Sequence, residues 1–195
     1  AGSRIFVQSG IYDEFLAKFT EKSRALKVGN PFATDSYQGP QMSQIQYDRI
    51  MDYIKSGKEQ GATGHPGGEH HGTEGFFIQP TIFTDTTPYM RMVQEEIFGP
   101  CAVASSDIHD NFLHVIRQAN DTMYCLASAV FSKDINRALT IAHRLQAGTA
   151  WIRFKASLFL HANIPFGRFK QSGIGRELGE YALKKYGFSS PFAAA

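Results

Sequence analysis

The sequence predicts an α/β fold, a mostly parallel sheet covered by helices, and three observations carry that expectation. Apolar runs of strand length alternate with stretches of helical period, most plainly Leu126–Phe131, the segment after Asp134, and Thr149–Phe154. The connections between them are short, and strands joined through helices in this way form crossover units with parallel pairing. The chain has 195 residues with 43% hydrophobic content, enough for one full core, so residues 1–195 read as a single domain with an atypical tail at 187–195.

Taken in order, Ser3 to Gln8 alternates Ile5 and Val7 with polar neighbours and reads as a strand. Ser9 then stands where it can cap a helix with Ile11, Phe15, Leu16 and Phe19 on one face, ended by Gly29-Asn30-Pro31. Ser43 and Gln46 have the spacing of a capping box, and the helix they open carries Tyr47, Ile50, Met51 and Ile54 as its apolar stripe. Residues 57–75 hold seven of the 18 glycines together with His65, His70 and His71, which marks a surface loop or a β excursion. A metal site is not expected there, because adjacent imidazoles point apart and the spacing of a zinc motif is missing.

Phe76–Phe83 is a strand candidate with Pro80 near its edge, and Cys101–Ala104 is a short apolar run. Phe112, Val115, Ile116 and Ala119 describe an amphipathic helix. Leu126–Phe131 reads as a buried strand, and Asp134 caps a helix bearing Ile135, Ala138, Leu139, Ala142 and Leu145 that Gly148 closes before the last strand.

Composition excludes several functions. The net charge of +2 arises from 20 basic and 18 acidic side chains spread along the chain, which leaves no footprint for nucleic acid. No apolar stretch approaches the roughly 20 residues of a membrane-spanning helix. The two cysteines, Cys101 and Cys125, form no disulfide framework, so a reducing, cytoplasmic setting is expected.

Two stretches are chemically particular. Gln94-Glu95-Glu96-Ile97-Phe98-Gly99-Pro100 sets two carboxylates before an aromatic and a Gly-Pro stop. Pro165 to Glu177 surrounds Lys170 and Arg176 with glycines and then opens a helix, as expected where backbone approaches something closely. Both resemble signature segments of the aldehyde dehydrogenase superfamily. So do Ser3-Arg4-Ile5-Phe6-Val7, Lys27-Val28-Gly29-Asn30-Pro31, Gly39-Pro40-Gln41, Pro80-Thr81-Ile82-Phe83 and Gly148-Thr149-Ala150-Trp151, in that family's order.

The resemblance covers roughly residues 2–186 and implies the C-terminal, catalytic-domain portion of such an enzyme. In the family the nucleophilic Cys stands just before a segment like Ala1-Gly2-Ser3-Arg4, and the general-base Glu and the dinucleotide-binding domain lie further upstream. The resemblance also implies that Glu96 accepts hydrogen bonds from the nicotinamide ribose of NAD(P) and that Phe98 packs against it. With no dinucleotide-binding half, no cofactor is expected for this chain alone, and the bland reading makes Glu95 and Glu96 carboxylates that hold the fold through backbone donors. Lys170 and Arg176 read as braces of the glycine turn, and Trp151 as core.

Departures from the family pattern suggest a rebuilt pocket. Arg153 stands where asparagine is usual, Phe154–His161 replaces a substrate-tunnel loop, Arg168 replaces a glycine, and Cys125 replaces the glycine of a Tyr-Gly-Leu. The segment Gly187–Phe192 replaces a valine-rich strand used in oligomerisation. Arg153, Lys155 and His161 would bring cationic and proton-transferring groups to a crevice lined by Phe154, Phe159 and Phe166. The leading expectation is therefore a non-redox isomerase, cyclase or lyase acting on a small carbonyl or aromatic substrate. His161 would be its acid or base, Lys155 its carbonyl-polarising or imine-forming amine, and Cys125 a further nucleophile candidate. The alternatives are a dehydrogenase portion that works when joined to its N-terminal half, and a binding or assembly module. A homo-oligomer or a partner chain is expected to cover an apolar surface near Ile5, Phe6 and Phe98.

Overall fold

The computed structural model describes residues 3–107, 111–153 and 162–183. They fall into two compact units, one ending at Val115 and the other beginning at Ile116.

The first unit contains β1 (Arg4–Gln8), α1 (Ser9–Arg24), α2 (Gln44–Glu59), β2 (Thr63–His65), β3 (Thr81–Thr84), α3 (Arg91–Gln94) and β4 (Cys101–Asp107), and the boundary falls within α4 (Phe112–Asn120). Its four-stranded sheet has the order β1-β4-β3-β2. The central β4 runs parallel to β1 and to β3, while β2 closes the edge antiparallel. The α/β, parallel-rich architecture is thus present, with α1 packed on β1 and β4 and the Tyr12 hydroxyl donating to the Ala104 carbonyl at 3.2 Å.

Local chemistry explains most boundaries. Helix α1 begins at Ser9 itself, after Gln8, with no side-chain cap, so the expected Ser9 cap is absent; the helix also stops at Arg24, before the Gly29 region. Its Phe15 and Phe19 rings lie 5.5 Å apart, but Ile11 is exposed. At α2, Ser43 Oγ accepts from the Gln46 N–H at 3.3 Å as the capping pattern predicts. The reciprocal bond is diverted, because Gln46 Oε1 accepts from the Met42 N–H instead.

The buried face of α2 is Ile50, Tyr53, Ile54 and Gly57, with Tyr47 and Met51 only partly buried beside it. Tyr53 falls outside the Tyr47, Ile50, Met51 and Ile54 spacing, yet stands three residues after Ile50 on the face that is buried. Strand β3 begins only at Thr81, because Pro80 has no N–H to give a ladder. The 57–75 segment holds β2 and several turns at positive φ, and each contacting histidine there has its own hydroxyl partner: His65 Nε2 lies 2.8 Å from Thr84 Oγ1 and His70 Nδ1 lies 3.2 Å from the Tyr47 hydroxyl. No three His, Cys, Asp or Glu side chains converge among the described residues.

The core joins Ile50, Tyr53 and Ile54 of α2 to Ile78, Phe83, Met92, Ile97, Cys101 and Val103. Burial pushes the Cys101 thiol up to about 12, from 9.0, against a smaller opposing effect of the Thr81 hydrogen bond. The protonated thiol is favoured in the fold, so its contribution is fully present below about pH 9 and is lost as pH rises toward 12, while the unfolded chain ionises first. We expect unfolding free energy measured in urea to decline across that window by about 1.4 kcal/mol per pH unit more in the parent than in Cys101→Ala. Equal slopes in the two proteins would show that the thiol ionises as easily folded as unfolded.

The second unit contains β5 (Tyr124–Cys125), β6 (Ala127–Phe131), α5 (Ile135–Arg144), β7 (Thr149–Arg153), β8 (Phe166–Gly167), β9 (Phe169–Lys170), β10 (Arg176–Glu177) and α6 (Gly179–Leu183). β6 and β7 pair in parallel from Ala127↔Thr149 to Phe131↔Arg153, so β6-α5-β7 is the crossover the sequence predicts. Asp134 caps α5, its Oδ1 accepting from the N–H groups of Asn136 at 2.9 Å and Arg137 at 3.2 Å. The expectation of a buried β6 is corrected: only Val130 is buried, and Phe131 is 70% exposed. β5 pairs antiparallel with β9, and β8 with β10.

Candidate functional site

A tightly constrained surface feature is the turn from α3 into β4. At Glu95 the chain leaves the helix and becomes extended (φ −109°, ψ 164°). Ile97 then drops into the core, and its neighbours Glu96 and Phe98 are both more exposed than it is. Glu96 is half-buried and has no hydrogen-bond or ion-pair partner among the described residues. Phe98 is 69% exposed at φ 55°, a left-handed conformation that costs a non-glycine residue about 1–3 kcal/mol.

Helix α2 holds that conformation. Gln46 Nε2 donates to the Phe98 carbonyl at 2.9 Å. A Cβ at Gly99 would lie 2.7–2.8 Å from three side-chain carbons of the buried Ile50, so only glycine lets the turn sit this low on the helix. The Thr81 N–H then fixes the Pro100 carbonyl at 2.8 Å. Beside it, Glu95 Oε2 accepts from the Tyr53 hydroxyl at 2.6 Å and lies 3.5 Å from Arg91 Nε. Glu95 does hold the fold, but through side-chain donors rather than the backbone donors expected. Arg91 also reaches Asp52 Oδ2 at 2.5 Å, and its guanidinium stands 4.2 Å over the Tyr53 ring.

A half-buried carboxylate with open acceptor positions beside an exposed aromatic ring can receive a ligand that offers hydroxyl donors and a flat face. Gln46, Tyr53 and Arg91 support this surface and were not anticipated. Tyr53 could have been found as a polar-tipped aromatic three residues after Ile50 on the same face; Gln46 had already been assigned to the cap.

In the second unit Lys170 and Arg176 are braces, as the glycine turn suggests. Lys170 Nζ donates to the Asn120 and Thr122 carbonyls at 2.6 and 2.9 Å, and Arg176 Nη1 donates to the Arg168 and Gly175 carbonyls at 2.7 and 3.1 Å. Trp151 is half-buried and stacks on Phe166 at 6.3 Å. Cys125 is half-buried in β5, outside any disulfide, with its N–H donating to Ser172 Oγ at 2.8 Å. Arg153 ends β7, but its side chain lies outside the described residues, as do Lys155 and His161 altogether. Of the expected site residues, Glu96 and Phe98 lie two positions apart on the same turn.

The family model described as "Aldehyde dehydrogenase family" matches residues 1–188. An aldehyde dehydrogenase of Agaricus bisporus is 60% identical over 186 residues, which cover 95% of this chain and 36% of that protein. One of Emericella nidulans is 53% identical, with 95% and 37% covered. The NAD+ complex of aldehyde dehydrogenase from Bacillus cereus superposes with a TM-score of 0.89 at 41% identity, covering 95% of this chain and 37% of that one. The chain thus spans little more than a third of the length of the relatives it matches.

Proposed function

The chain belongs to the aldehyde dehydrogenase family, and from that premise we propose that it supplies the nicotinamide-side wall of an NAD(P)-dependent site that oxidises aldehydes to acids. The observation that carries the reading is the pair Glu96 and Phe98 on a turn locked by Ile97, Gly99 and Gln46. Glu96 accepts hydrogen bonds from the ribose hydroxyls of the nicotinamide nucleotide, and Phe98 packs against that nucleotide. When bound, the dinucleotide supplies the hydride acceptor; the residues of this chain bind and orient it. The family resemblance places the attacking thiolate and the base that activates water upstream of the segment that Ala1-Gly2-Ser3-Arg4 resembles, so in this proposal they come from the preceding part of the enzyme.

Because Phe98 is so exposed, further chain or a partner covering this face is part of the proposal. A non-redox enzyme working through Arg153, Lys155 and His161, with Cys125 in reserve, would rest on side chains of which three lie outside the described residues, and no observation favours it.

The test joins residues 1–188 to the preceding two-thirds of the Agaricus bisporus relative. The chimera is expected to form NADH or NADPH only when an aldehyde is supplied, and Glu96→Ala to lower kcat/KM about tenfold or more, the worth of hydrogen bonds to a charged group. A folded chimera that reduces no coenzyme with any aldehyde overturns the reading.

A further inference from the structure

On the reading that Glu96 meets a nicotinamide ribose, we propose that Tyr53 is a positioning residue for the Glu96 and Phe98 pair, acting through Glu95. Tyr53 is fully buried, and its hydroxyl is one of the few polar atoms that α2 carries into the core. That hydroxyl spends its single proton on Glu95 Oε2 at 2.6 Å and receives the Arg49 guanidinium at 3.4 Å. A short bond from a neutral donor to a carboxylate is among the stronger hydrogen bonds a protein makes.

Its place in the chain matters as much as its strength. Glu95 is the residue at which α3 ends, and α3 is one turn long, too short to hold its own terminus. Arg91 stands over the Tyr53 ring and pairs with both Asp52 and Glu95. Together these groups clamp the chain one residue before Glu96, while Gln46 clamps it at Phe98. The two clamps come from the same helix, seven residues apart along it, which is about two turns on one face. Glu96 is thereby suspended between two fixed points without being bonded itself, which keeps its acceptor positions available. Glu95 is thus the anchor and Glu96 the working carboxylate.

Tyr53→Phe removes only the hydroxyl and leaves the packing intact. In the chimera it is expected to raise KM for NAD(P) about tenfold, the worth of one such bond, with the fraction of folded enzyme unchanged. Glu95→Ala should do the same, and the double variant should be no worse than either alone. Glu95→Gln keeps an oxygen for the hydroxyl and should recover most of the KM lost in Glu95→Ala. In the 195-residue chain itself, amide resonances of Glu96, Ile97 and Phe98 should move in Tyr53→Phe while those of Ile78 and Val103 stay. Unmoved Glu96 and Phe98 amides, an unchanged KM, or shifts spread evenly over the core would each overturn the positioning role. An inactive parent chimera would sink the dehydrogenase reading instead, with the amide shifts still deciding whether Tyr53 holds the turn.

Discussion

Gly148→Ala is expected to destabilise the second unit by about 3 kcal/mol or more, at the upper end of what overpacking costs. A Cβ at position 148 would lie 1.9 Å from the Gly167 carbonyl oxygen, 2.6 Å from its carbon and 3.0 Å from the Arg168 nitrogen. All three are backbone atoms, so no side chain can swing aside. The obstacle is itself confined: a Cβ at Gly167 would meet Arg176 Cδ at 2.2 Å and the Gly175 oxygen at 2.4 Å. Relief of one clash therefore creates another, and β8 would have to leave β10. Trp151, the only tryptophan, is three residues away and stacked on Phe166, so its fluorescence in a urea titration reports this unit. A midpoint unchanged from the parent would mean that the two backbones do not approach as described.

Phe83→Ala should cost the first unit about 3–5 kcal/mol. Phe83 is 0% exposed and lies on β3, between the β4 and β2 partners of that strand, where the core is deepest. Its ring edge is met by the bare α-carbons of Gly57 and Gly64, each of which would place a Cβ 3.6 Å from Phe83 Cε1. Glycines have no side chains with which to fill the vacated space, and of the neighbours at Gly57 only the Met92 thioether can shift toward it, so much of the cavity stays open. Cys101, buried in the same cluster, gives the readout. Its labelling by a thiol reagent should begin at much lower urea in Phe83→Ala than in the parent. Labelling curves separated by less than about 1 kcal/mol would place the ring outside the core.

Local signals in the chain were legible. The Asp134 cap and the β6-α5-β7 crossover follow from residues within one helical turn or one short connection of each other. The same holds for Ser43 at the head of α2, whereas Glu96 and Phe98 stand out only through the family motif that contains them. Where the reading missed, the competing effect is identifiable. Ser9 has the chemistry of a cap, but the helix already includes it. Phe131 is apolar enough for a core, yet sits at the end of a strand that is mostly open. Gly148 was read as a helix terminator; α5 ends at Arg144, and the glycine is needed for the close passage against Gly167.

By itself, then, the amino-acid order determined the α/β class, the crossover and the family, because periodicity, capping and motif spacing act over a few residues. Only the tertiary structure decided what holds the candidate site. The Tyr53–Glu95 bond joins residues 42 positions apart and the Gln46–Phe98 bond residues 52 apart, and contacts of that separation leave no periodic trace in the chain. They exist because α2 packs its buried face under the turn, which sets donors from one segment against acceptors of another.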